Sequence, residues 1–161
     1  MSEYALLIKR AESKLKIADH MINMSYKLVD DPKILLSGAI TLFESLESAM
    51  SAVLDVERIF KRVSPYNNTF ESKYATFNTK LVKKNPRFKE GLEILKKLHS
   101  INVAHKKSPV EFSRKDKFVI CLDDYEMVTV ELKDLKNYIN KAKVFIEQCT
   151  IIINASVGIL R

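Results

Sequence analysis

The chain has no tryptophan and, in 161 residues, only two cysteines, three glycines, four prolines and three histidines. So few turn formers leave an all-β sandwich, which turns about every ten residues, poorly furnished. Gly38, Gly91 and Gly158 fit neither a G-x-G-x-x-G fingerprint nor a P-loop, which excludes those two routes to nucleotide binding. Cys121 and Cys149 stand 28 residues apart, so they form neither a C-x-x-C redox pair nor half of a zinc knuckle. They read as buried free thiols of a reducing compartment. Long apolar runs are missing too: the uncharged stretch Gln148 to Leu160 has 13 residues, short of the roughly 18 to 20 that cross a bilayer. The Met-Ser-Glu-Tyr start lacks the cationic lead of a signal peptide. These absences predict a soluble, cytoplasmic protein without membrane contact.

What is present is a globular composition, 47% hydrophobic and 29% charged, over a length that suits a single domain spanning 1–161. Tyr4, Ile8, Ala11, Leu15, Ala18 and Ile22 recur at steps of three and four, the stripe of a helix over about 2–29 with Ser2 as N-cap. Asp30-Asp31-Pro32 breaks it, because the residue before proline is pushed out of the α region. A second helix is predicted from Pro32 to Arg62, with Leu35, Leu42, Leu46, Ala49, Val53, Val56 and Phe60 on its main face. Leu36, Ile40, Phe43, Met50, Leu54 and Ile59 widen that stripe, so this helix should touch several others or a second subunit. Phe70, Tyr74, Phe77 and Leu81 mark a third helical segment, interrupted at Asn85-Pro86 and resumed by Phe88, Leu92, Leu95 and Leu98 to about His105. One kinked helix and two separate ones remain alternatives. Residues 117 to 129 suggest a hairpin with Asp123-Asp124 at its tip and Phe118, Ile120 and Met127 facing the helices. A last helix is predicted from Glu131 to Ile159. The expected fold is all-α: an antiparallel four- to five-helix bundle with a small β-hairpin before the last helix, needing no cofactor to fold.

Charge is concentrated. Residues 80–117 hold 12 Lys and Arg against 4 Asp and Glu, within a chain of net charge +7. Such a surface attracts RNA or another polyanion in a salt-sensitive way; the alternative is a solvated lysine face that keeps the protein soluble. No Glu-x-x-His pair precedes His20, His99 or His105, and there is no H-E-x-x-H, so no metal site is expected. Asp30-Asp31 and Asp123-Asp124 fall in turns, where aspartate serves local backbone bonding. The remaining constellation is Lys96, Lys97, His99, Asn102, His105, Lys106 and Lys107, at the end of the third segment. An imidazole can move a proton near neutral pH and ammonium groups can neutralise a phosphodiester, a combination suited to metal-independent RNA cleavage. The structural alternative is a histidine favourably placed at a helix C-terminus beside solvated lysines.

Long helices, a third segment ending through Leu98, Ser100 and Asn102 to His105, a polar connection and a final amphipathic helix make the chain resemble the HEPN (higher eukaryotes and prokaryotes nucleotide-binding) superfamily. The resemblance implies a homodimer. In its RNase members an Arg, usually followed by a polar residue, is separated from the catalytic His by four to six residues, and two such helices share one active site. His105 matches the histidine, but 98 to 100 reads Leu98-His99-Ser100; Lys97 lies just outside, and a lysine lacks the guanidinium fork. The resemblance therefore implies a non-catalytic protein that binds RNA, or a partner such as a nucleotidyltransferase, through residues 80–117. Two alternatives stand beside it: an endoribonuclease using His105 with His99 assisting, and a dimeric interaction protein built on the wide apolar face of the second helix.

Overall fold

A helix that is apolar on most of its circumference has to be wrapped, and the longest helices of this chain are arranged around one such element. The computed structural model describes residues 2–158. Helix α1 (Glu3–His20) runs through a π-turn (Met21–Ser25) into the short α2 (Tyr26–Val29). Asp30 then takes a left-handed conformation, φ 56°, and turns the chain back into α3 (Lys33–Ile59). Ser2 occupies the N-cap position in extended backbone, but its side chain makes no capping bond. The pairing of α1 with α3 is close because Ala11 and Ala18 face it without exposure. The Ser45 hydroxyl donates to the Ala11 carbonyl at 2.6 Å.

Helix α3 is the centre of the core. Eighteen of its 27 residues are buried, and α1, α4, α5, α6 and the sheet all pack on it. Of the two expectations for its wide stripe, several helices or a second subunit, the first describes the chain: the face is covered by its own helices and sheet. Ile59, expected on that face, is 54% exposed, since the helix leaves the bundle there. Its end is a Schellman turn: Lys61 adopts φ 57° and the Arg62 amide donates to the Glu57 carbonyl at 2.8 Å. The Arg62 guanidinium grips the buried Glu57 carboxylate at 2.8–3.1 Å and donates to the Ser156 hydroxyl at 2.6 Å, tying this end to the last helix.

Two helices, not a kinked one, follow: α4 (Phe70–Lys84) and α5 (Phe88–Lys107). Thr69 caps α4 by accepting from the Ser72 amide. Asn85 leaves the helical region at φ −139°, as a residue before proline must, and its side-chain oxygen accepts from the Arg87 amide at 3.1 Å. Helix α5 is then laid against α6 (Leu132–Gly158). The position expected to end that last helix, Ile159, lies outside the described residues.

The connection between α5 and α6 holds three antiparallel strands in sequence order, β1 (Val110–Arg114), β2 (Lys117–Cys121) and β3 (Met127–Glu131). The expected hairpin is β2–β3, with Asp123 and Asp124 in its turn; β1 is an addition. Phe118 and Ile120 face the core as predicted, opposite Val130 and Val128. Met127 does not: it pairs with Cys121, on the other parity of the pleat, and is 64% exposed. At the β1–β2 turn Asp116, φ 59°, is fastened to two helical elements. Its carboxylate accepts from the Tyr26 hydroxyl at 2.6 Å, its amide donates to that hydroxyl at 3.1 Å, and its carbonyl accepts from the Leu132 amide at 3.0 Å.

Two consequences can be measured. A methyl group at Gly91 would lie 2.5 Å from Phe145 Cδ2, and that ring is locked between Phe77 and Phe88. Gly91→Ala should therefore destabilise the protein by about 1–3 kcal/mol in urea unfolding, despite its higher helix propensity. Burial, together with the bond to Asp116, pushes the Tyr26 phenol up to about 12. Its folded-state value exceeds the unfolded one, so the stability it contributes is complete below about pH 10 and disappears as pH rises toward 12. The stability difference between wild type and Tyr26→Phe should narrow over that window and stay constant from pH 7 to about 9.5.

Candidate functional site

The constellation at the end of α5 is spread around the helix. At about 100° per residue, Lys96 and Lys107 share one edge, His99 and Lys106 another, and Lys97 and His105 point elsewhere. His99 stacks on Phe70 with centroids 3.8 Å apart and planes at 12°, and lies 5.7 Å from Phe43. It is a member of an aromatic cluster that joins α3, α4 and α5. His105 instead bonds through Nδ1 to Glu111 of β1 at 2.8 Å, which fixes the start of the sheet to the end of α5. The two imidazoles leave the helix about 120° apart and about 9 Å along its axis, each with its own partner. Asn102 is half-buried and makes no hydrogen bond among the described residues. Lys97 borders a shallow groove with Glu90, Glu93 and Lys141, where Glu90 pairs with Lys141 at 3.1 Å. This neighbourhood is of mixed sign.

The basic segment as a whole has a different character. All twelve of its lysines and arginines are exposed, and among the described residues Lys117 alone of them is held in an ion pair, with Glu131 at 3.6 Å. The fold also brings the segment's last two lysines to cations remote in sequence. Lys115 of the β1–β2 turn and Lys117 at the start of β2 line a cleft of about 400 Å3 with Lys133 and Lys136 of α6. Its acids are Asp116, engaged with Tyr26, and Glu131, which lies 3.6 Å from Lys117 and 4.0 Å from Lys133. Lys115 and Lys136 have no carboxylate partner among the described residues. The Asp116 fastening is what holds the turn against the start of α6. Sequence gave no access to this convergence, because Lys133 and Lys136 belong to a helix read only for its apolar face.

A second concave site lies at the one edge of α3 that meets water. Glu44, Glu47, Ser48, Ser51, Asp55 and Arg58 recur at steps of three and four, and line a cleft of about 400 Å3 closed by Glu3 and Arg10 of α1 and by Tyr66 and Lys73. Ser48, Ser51 and Asp55 are only 6%, 9% and 6% exposed. The Asp55 carboxylate accepts from Arg58 at 2.7 Å and raises the guanidinium above its usual range. Burial raises the Tyr66 phenol, with Arg58 pulling the other way. The polar period was present in the sequence but masked by the wide apolar stripe on the same helix.

Among the described residues no group of three or more His, Cys, Asp or Glu is placed to hold a metal ion, and no helix is long and apolar enough to cross a membrane. Cys121 and Cys149 are free, and burial pushes the Cys149 thiol well up, away from the reactive thiolate. Compared with known proteins, the chain matches no family model, no curated protein and no solved structure.

The stacked environment of His99 defines its test. If it serves packing, His99→Phe should preserve stability to within about 1 kcal/mol, whereas His99→Ala should cost about 1–3 kcal/mol through loss of the stack and a cavity beside Phe70.

Proposed function

We propose that this chain is a non-catalytic, HEPN-like helical-bundle protein that binds single-stranded RNA through the phosphate backbone. The observation that carries the reading is the set of exposed cations on residues 80–117, all but Lys117 without an ion-pair partner among the described residues, joined by Lys133 and Lys136 around the cleft at the start of α6. Lysines are point charges on flexible stems, suited to sequence-independent neutralisation of phosphates. Their layout favours a long ligand: the 20 residues of α5 place Lys89 and Lys107 about 27 Å apart along its axis. A small phosphate compound cannot span that distance, while a strand of RNA can. The separation of His99 from His105, and the absence of an arginine at 98–100, favour binding without cleavage. A HEPN-type homodimer would have to use a surface other than α3, whose apolar face is consumed inside the chain.

Fluorescence anisotropy with a labelled single-stranded RNA tests this. If Lys115, Lys117, Lys133 and Lys136 each neutralise one phosphate, they contribute a slope of about −3 in log K against log salt, or about fifty-fold between 50 and 200 mM. Replacing those four by Gln should flatten the slope by that amount. Replacing Lys96, Lys97, Lys106 and Lys107 should weaken binding less, and His105→Ala should leave it within about twofold. No binding at about 50 mM salt, or RNA cleavage in EDTA that His105→Ala abolishes, would overturn the proposal.

A further inference from the structure

The polar edge of α3 is not needed for the RNA reading, and it is costly. Burying a hydroxyl or a carboxylate without partners opposes folding, so buried polar groups are normally satisfied. Asp55 is 6% exposed and uses one carboxylate oxygen for Arg58, leaving Oδ2 without a partner among the described residues. Ser48 is also 6% exposed, and its hydroxyl makes no hydrogen bond there, not even the back-bond to the preceding turn that Thr41 makes to Ser37. Among the described residues no side-chain oxygen is sealed off without a partner, so the Ser48 hydroxyl is reachable, and the space it reaches is the cleft it lines.

Two opposite charges face the same cleft. Glu47 lines the cleft and has no cation within ion-pair distance among the described residues, whereas Glu44, one turn earlier, is taken by Lys14 at 2.8 Å. Lys73 reaches in from α4 and places its ammonium 3.2 Å from the Ser51 hydroxyl, a neutral partner that leaves its charge uncompensated. Glu47 and Ser51 are one turn apart on α3, about 6 Å between their Cβ atoms. The cleft therefore presents, within one turn of α3, a carboxylate and an ammonium that are not paired with each other.

We propose that this cleft is a binding site for a small zwitterion, an α-amino acid. The ligand's ammonium is received by Glu47, with Ser48 and Asp55 Oδ2 as further acceptors, and its carboxylate by Lys73. In such a ligand the two charged groups sit on one carbon atom, so a single hydrogen bond at each end spans the gap. The volume of about 400 Å3 leaves room for a side chain toward Tyr66 and Arg58. A ligand of one sign would satisfy one end and leave the half-buried charge at the other end unanswered.

Titration calorimetry on the full chain, with the twenty amino acids in turn and putrescine and acetate as probes that carry charge of one sign only, decides the matter. The expected result is saturable binding of at least one amino acid and none of either control. Glu47→Gln and Lys73→Met should each lower that affinity by about tenfold or more, as loss of a hydrogen bond to a charged group does. Both positions lie at the cleft wall rather than in the apolar core, and circular dichroism would verify that the variants fold. Binding by none of the amino acids overturns the proposal. So does binding of putrescine or acetate as tight as that of the best amino acid, or an affinity unchanged in both variants. RNA binding is expected to be unaffected by Glu47→Gln, which keeps this result separate from that of the basic surface.

Discussion

One constraint organises the molecule: α3 has almost no side fit for water. A helix with eighteen buried residues in 27 cannot be satisfied by a single neighbour, since one helix covers about a third of another's circumference. The other elements are therefore each amphipathic in the ordinary way and close around it, α1 on one flank and α5 and α6 on others, with the inner face of the sheet over the remainder. Small residues set the distances. Ala11 and Ala18 admit α1 close enough for the Ser45 hydroxyl to reach a carbonyl of α1, and Gly91 admits the Phe145 ring against the backbone of α5. The core is consequently one continuous cluster, which is why the wide apolar stripe of α3 describes an interior and not an interface between copies.

That outcome shows what was legible in the sequence. The stripes of α1 and α4, the Asp30–Pro32 and Asn85–Pro86 breaks and the helical class all follow from periodicity and from proline's exclusion of the α region in the residue before it. These are local rules that packing has no reason to override. Two features were beyond local rules. Strand β1, Val-Glu-Phe-Ser-Arg, has a weak alternating pattern and an exposed side; it is a strand because β2 offers it a hydrogen-bonding edge. Met127 was assigned to the packed face because it is apolar, but register decides, and register is a property of the pair.

The candidate sites divide in the same manner. Sequence located the positive charge correctly as an exposed feature of residues 80–117, because lysines are seldom buried. It could not say which lysines meet. Proximity along α5 suggested Lys96, Lys97 and the two histidines, yet neighbours on a helix point in different directions. His99 was drawn into the aromatic cluster by Phe70, and His105 to Glu111. The convergence that did form, at Lys115, Lys117, Lys133 and Lys136, joins a turn to a helix and exists because Asp116 is bound from two sides.

The same fastening bears on how a lysine surface can be selective at all. Exposed lysines carry much rotamer freedom, and holding them around an anion costs entropy for each chain restrained. What the fold can fix is the backbone from which they spring. With Tyr26 buried beneath Asp116 and the Leu132 amide bonded to the Asp116 carbonyl, the turn and the first residues of α6 move as one piece. Repulsion among the four ammonium groups is offset in part by Glu131, 3.6 Å from Lys117 and 4.0 Å from Lys133, and what remains on Lys115 and Lys136 is not relieved by the turn swinging away. Under the proposed RNA reading, the charge that a phosphate would answer there is that of Lys115 and Lys136, held on a frame that a buried, neutral tyrosine fixes.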